Sequence, residues 1–197
     1  NIIPKACFDC FKIQIEPKNV LELFKLFLIF DKFVLPKNNT RKCMVELRSK
    51  VSGTYKGLIY CSSIKETNEI LEIVSPIINK LIISKIKVKR GCTEYVDSFP
   101  NYKETNKENA HFMTYKDDWY KKEKIFDLNN KIKLNNQLSS LRGIHISDIL
   151  IINNWLNYAK KIEDKSYKVF GEDAIYSEYI SQILEKQLIK RKKEFSS

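Results

Sequence analysis

Residues 8–96 predict an α+β fold of the ferredoxin-like βαββαβ kind: a split sheet of four antiparallel strands with two helices on one face. Three observations carry that expectation. Apolar and polar residues alternate over 11–16, 42–48 and 85–90, the period of a half-buried strand. Two longer stretches, 18–33 and 63–81, instead repeat their apolar residues at helical spacing. The resulting order, strand, helix, strand, strand, helix, strand, is that of two joined βαβ units.

The first strand, Phe11-Lys-Ile-Gln-Ile-Glu16, stops at Pro17, which cannot donate to a ladder. The helix after it has Asn19 as cap, and Val20, Leu21, Phe24, Phe27 and Leu28 form its expected packing side. A turn at 36–40 leads to the second strand, and Ser52-Gly53 turns the chain into the third at 57–62. The second helix starts at Ser62 or Ser63, and Pro76 is expected to kink or split it. Lys85-Ile-Lys-Val-Lys-Arg90 is the fourth strand, closed by Gly91-Cys92. Ile13, Ile15, Val45, Leu47, Ile86 and Val88 are then expected between the sheet and the helices containing Phe24 and Ile73.

Beyond the sheet, a short amphipathic helix is expected at 115–124, with Tyr115 and Trp119 on its packing side. Two longer helices, 147–164 and 173–195, read as an αα-hairpin turned near Gly171. The chain therefore divides into a sheet domain at 1–97, a loop and short-helix connector at 98–143, and a helical hairpin at 144–197.

The 197 residues are 43% hydrophobic and 30% charged, the balance of a globular protein, and 5 Gly with 5 Pro leave little for long linkers. The longest apolar stretch, 21–35, is broken by Glu22, Lys25, Asp31 and Lys32, so no membrane span is expected. Asn1-Ile-Ile-Pro-Lys5 lacks the apolar core of an export signal. With 5 cysteines, an odd number, the expectation is reduced thiols in the cytoplasm, within a chain that is a piece of a larger one.

Four of those cysteines suggest a metal centre. Cys7 and Cys10 form a Cys-x-x-Cys pair just before the first strand. With the first, second and fourth strands running one way and the third running back, Cys7, Cys10, Cys43 and Cys61 share one end of the sheet. Cys92 then falls at the other. Four thiols within reach of each other are the ligand set of zinc or an iron–sulfur cluster. Two plainer readings compete: Cys43 and Cys61 as small buried hydrophobes, and Cys7–Cys10 as a redox pair.

A formal charge of +11 draws a protein to polyanions. Because 30 of the 35 basic residues are Lys, the charge also fits a merely solvated surface. The strand order matches that of the RNA-recognition motif, whose sheet face stacks bases on aromatic side chains. On the corresponding face here Tyr60 is the stacking candidate, and Lys12, Lys85, Lys87, Lys89 and Arg90 are candidates for phosphate contact. The competing view of 85–90 is an edge strand guarded by lysines.

For catalysis the residues offer little. His111 and His145 have no metal-ligand spacing, Asp117-Asp118 lacks an acidic partner motif, and no glycine-rich phosphate loop occurs. Lys190-Arg-Lys-Lys193 complements a helix terminus or touches an anionic partner. The leading expectation is a basic module that contacts nucleic acid or another polyanion, braced by a cysteine-bound metal. The alternatives are a metal- or iron–sulfur-dependent enzyme or electron carrier, and a protein-interaction domain using the tyrosine-rich last helix.

Overall fold

The computed structural model describes residues 2–48, 51–95, 98–103, 113–129 and 144–170. In chain order these form a helical turn, Lys5–Phe8 (α1), then Phe11–Pro17 (β1), Val20–Lys32 (α2), Arg41–Val45 (β2), Tyr55–Cys61 (β3), Ile64–Leu81 (α3) and Ser84–Arg90 (β4). Two short 3-10 turns, Thr93–Tyr95 and Pro100–Lys103, precede Asp117–Asn129 (α4), Ile146–Lys161 (α5) and a 3-10 helix, Lys165–Phe170. The four strands lie in the order β2-β3-β1-β4 with every neighbouring pair antiparallel, which is the ferredoxin-like split sheet.

Local chemistry sets the helix boundaries. The Asn19 side chain accepts the Glu22 N–H at 3.0 Å and starts α2, while Ser63 accepts the Glu66 N–H at 3.1 Å and starts α3. At the far end of α2 the Arg41 guanidinium donates to the Phe30 and Phe33 carbonyls at 2.7 and 2.6 Å, satisfying oxygens that a helix end leaves unpaired. Pro76 does not split α3, which runs unbroken from Ile64 to Leu81.

The core lies between the sheet and these two helices. Register sets Ile13 against Ile59 and Val88, and Ile15 against Gly57 and Ile86. Leu26 and Phe30 from α2, with Ile70, Val74 and Ile78 from α3, close over them. A Cβ on Gly57 would meet Leu26 and Phe30, so α2 sits directly on β3 at that glycine.

Several expectations are corrected. The face of α2 toward the sheet carries Leu23, Leu26 and Phe30, whereas Phe24 stacks edge-on against Phe170 at 5.0 Å. Phe27 does the same with Trp155 at 6.1 Å. The helix is apolar on two sides because it lies between the sheet and α5. Ile73 is on the outer side of α3, and Leu47 is 75% exposed because β2 ends at Val45. β4 runs opposite to the expected direction. A crossover through a helix returns the chain parallel to the strand it left, so β4 runs with β3 and against β1, with Phe11 opposite Arg90.

A second apolar cluster, Val20, Leu23, Tyr55, Trp155 and Ala159, joins α5 to α2. A third, Ile3, Phe8, Tyr102 and Trp119, joins α1 to α4, with Tyr115 edge-on to Trp119. Arg90 is drawn into this third cluster: it is 6% exposed, donates to the Phe8 carbonyl at 3.1 Å and lies 4.2 Å from the Phe8 ring. The expected helix at 173–195, His111 and the basic run 190–193 fall outside the described residues. Among the described residues no helix is long and apolar enough to cross a membrane.

Candidate anion-binding face

Strand alternation gives the sheet a second face, away from α2 and α3. Register arranges its side chains in rows: Tyr60, Lys12 and Lys89 across β3, β1 and β4; Lys42, Leu58, Gln14 and Lys87 across all four strands; Met44 and Lys56 across β2 and β3. None of the three apolar clusters includes Met44, Leu58 or Tyr60. This face instead holds a cleft of about 150 Å³ lined by Lys12, Lys42, Lys56, Arg48 and Lys89, with Glu46 and Glu94 as its carboxylates. Pockets that enclose a small organic ligand run to about 300–1,000 Å³, so this cleft is smaller than such pockets.

Five cations and two carboxylates leave an excess of three positive charges. The carboxylates are committed. Lys56, 3% exposed, lies 3.0 Å from Glu46, whose other partner, Arg48, approaches at 2.8 Å and reaches on to Glu94 at 2.6 Å. The Arg48 hydrogen bonds, aided by Lys56 and opposed by burial, hold the Glu46 carboxyl far below the usual range.

Lys12 is held differently. It is 7% exposed, and its ammonium donates to the Gly91 carbonyl at 3.2 Å, touches the Cys92 sulfur at 3.6 Å and sits 5.3 Å from the centre of the Tyr60 ring. None of these partners is a carboxylate. The Glu94 carboxylate acts on this ammonium only through space and is itself paired with Arg48, and a buried ammonium without a close counter-charge is costly. Because that ammonium lies over Tyr60, a base stacking on the same ring face would have to displace it.

The other residues singled out from sequence divide. Lys89 lines the cleft. Lys87 is paired with Glu16 at 2.5 Å, Lys85 is exposed on the edge strand outside the cleft, and Arg90 faces the Phe8 cluster. Lys42, Lys56 and Glu94 carry no expectation from the sequence, and Cys92 was expected at the far end of the sheet. The parity of Lys42 with Met44, and of Lys56 with Leu58 and Tyr60, was the available signal for two of them.

The metal centre is overturned. Among the described residues no group of three or more His, Cys, Asp or Glu is placed to hold a metal ion. Cys43 and Cys61 pack into the core on the helix side of the sheet, where burial pushes the Cys43 thiol up to about 12 and raises that of Cys61. Cys10 continues the parity of Lys12 toward the opposite face, and Cys7 lies in α1. No three of these thiols come together, so they do not form the zinc or iron–sulfur ligand set, and the electron-transfer alternative loses its centre. Cys92 is not remote either, since the end of β4 lies beside the start of β1.

No family model, no curated protein and no solved structure matches this chain.

Proposed function

We propose that this chain is a binding module for phosphate-bearing polyanions, single-stranded nucleic acid first among them, and that it grips backbone phosphates with the second face of its sheet. The observation that carries the reading is the Lys12 ammonium, buried at the cleft with a carbonyl, a thiol and an aromatic ring as its contacts, while the Glu94 carboxylate, itself held by Arg48, acts on it only through space. Lys42 and Lys89 flank it across the strands, so a phosphate at the cleft meets three ammonium groups. Such contacts position a strand without reading its sequence. The reading carries with it a cytoplasmic location, where free thiols like the five here persist.

The test is fluorescence anisotropy of a labelled single-stranded oligonucleotide at low salt. Lys42→Glu combined with Lys89→Glu should weaken binding at least about tenfold, since each reversal replaces a phosphate contact by a repulsion. Lys65→Glu on α3, on the other side of the sheet, should leave it unchanged. No binding by the unaltered protein, or equal loss in both variants, contradicts the reading.

A second reading, a protein-interaction domain, draws on exposed apolar side chains along α4 and α5, among them Phe126, Leu128, Ile146 and Leu150. Concentration-dependent self-association, or a protein partner whose binding is lost in Phe126→Ser with Leu150→Ser, would favour it.

A further inference from the structure

The start of β1 and the end of β4 bring two thiols to one side of the sheet. The Cys10 carbonyl accepts the Gly91 N–H at 2.7 Å, which fixes the two chain segments side by side. Gly91 has a φ of +60°, a left-handed conformation that breaks strand alternation. Cys92 therefore turns toward the cleft, where its sulfur lies 3.6 Å from the Lys12 ammonium. Cys10 has the same parity as Lys12. Cys92 is among the charged neighbours acting on Cys10, whose thiol burial raises, and both act on the burial-raised Tyr60 hydroxyl. Neither sulfur is fully buried and neither is bonded to another, whereas Cys61 is enclosed in the core.

We propose that Cys10 and Cys92 are a redox-sensitive dithiol that closes into a disulfide across the β1–β4 edge. With hydrogen peroxide as oxidant, one thiol attacks the O–O bond, giving a sulfenic acid and one water. The second thiol then displaces the hydroxyl group as another water and forms the S–S bond. Two thiols lose two protons and two electrons, and one peroxide becomes two waters. Transient disulfides of this sort are compatible with a reducing compartment. The consequence for binding rests on the proposed anion site. Drawing the Cys92 sulfur toward Cys10 removes one partner of the Lys12 ammonium, which then has an N–H to give to a phosphate.

The experiment treats the whole chain with hydrogen peroxide, blocks remaining thiols and digests it with trypsin without reductant. Cleavage after Lys5, Lys12, Arg90 and Lys103 puts Cys10 in peptide 6–12 and Cys92 in peptide 91–103. The expected result is a linked pair of these peptides in the unaltered protein and in Cys7→Ser, absent in Cys10→Ser and in Cys92→Ser. A disulfide confined to peptide 6–12, a link that survives Cys10→Ser, or no linked peptide at all overturns the proposal. The oxidised protein should bind the labelled oligonucleotide about threefold more tightly than the reduced one, the low end of what one hydrogen bond contributes. Equal or weaker binding overturns the coupling through Lys12 while the linked peptide stands. If neither form binds, the anion reading fails, and the peptide map still decides the thiol pairing.

Discussion

The Tyr55 hydroxyl donates to the Asp164 carboxylate across 2.7 Å, and the same carboxylate oxygen accepts the Val20 N–H at 2.8 Å. One side chain that follows α5 thus reaches both a sheet strand and the first turn of α2, whose N-terminal N–H groups lack helical partners. The other carboxylate oxygen accepts the Ser166 hydroxyl at 2.8 Å. Burial, which acts to raise the Asp164 carboxyl, is outweighed by these hydrogen bonds, and the group is lowered.

Tyr55→Phe should therefore cost about 1.5 kcal/mol, the low end for one hydrogen bond to a charged acceptor with little change of shape. Asp164→Ala should cost about 2 kcal/mol, because it also removes an anionic partner from the start of α2. Denaturant midpoints at unchanged slope would measure both. Equal costs would mean that the Val20 contact contributes nothing.

Gly91 is constrained twice over. Its φ of +60° disfavours any side chain, and a Cβ there would run into the Tyr102 hydroxyl, which itself donates to the Cys7 carbonyl. Gly91→Ala is expected to lose about 2 kcal/mol or more in thermal or denaturant unfolding. Gly91→Ala combined with Tyr102→Phe should recover little, since the ring carbons obstruct the same space. Wild-type stability in the single variant would contradict the position of the 3-10 turn Pro100–Lys103 against β4.

The Lys56–Glu46 pair is a buried ion pair beside the cleft, with the two side chains 4% and 3% exposed. Glu46→Ala leaves an ammonium buried without its counter-charge and should destabilise by about 3–5 kcal/mol. Replacing both, as Glu46→Leu with Lys56→Met, should return most of that loss, because neither charge then remains to be desolvated. A double-mutant cycle in urea measures the coupling; purely additive losses would mean that the two groups do not interact.

Glu66 gives a pH signature. Hydrogen bonds from the Ser62 hydroxyl and the Ser62 N–H, then from Asn39, with Lys37 nearby, act against burial and hold its carboxyl at about 2, below the ordinary 4.5. A folded value below the unfolded one stabilises above pH ~4.5, and that contribution is lost as pH falls toward about 2. Unfolding free energy should therefore decline over that window. Glu66→Gln should be about 1–2 kcal/mol less stable at neutral pH and should decline less steeply. Parallel curves for the two proteins would remove Glu66 from the account.

The sheet was legible because each strand keeps one face apolar, most plainly in the alternation of Lys85, Lys87 and Lys89 with Ile86 and Val88. Both helix starts were legible through Asn19 and the serines at 62 and 63. The packing face of α2 was not, because a helix covered on two sides has apolar residues nearly all round. Leu47 misled because alternation continues in sequence past the last paired residue, Val45. The metal site was inferred from which strand ends coincide, and the wrong direction for β4 misplaced Cys92. Even with the correct direction, Cys43 and Cys61 face the helices while Cys10 faces away from them. Lys12 was legible as a residue of the second face, but its burial and its neutral partners depend on Gly91 and Cys92 folding back beside β1, a tertiary contact that no local pattern records.

The most direct test of the proposed anion-binding reading is the salt dependence of single-stranded DNA binding. Each phosphate neutralised on a single strand contributes about −0.7 to the slope of log K against log salt, so Lys12, Lys42 and Lys89 acting together predict a slope of roughly −2. Lys42→Ala and Lys89→Ala should each bring the slope about 0.7 closer to zero, and should weaken binding equally for different base sequences. A flat salt dependence, or a steep one that neither substitution alters, would contradict the assignment of this face to phosphate.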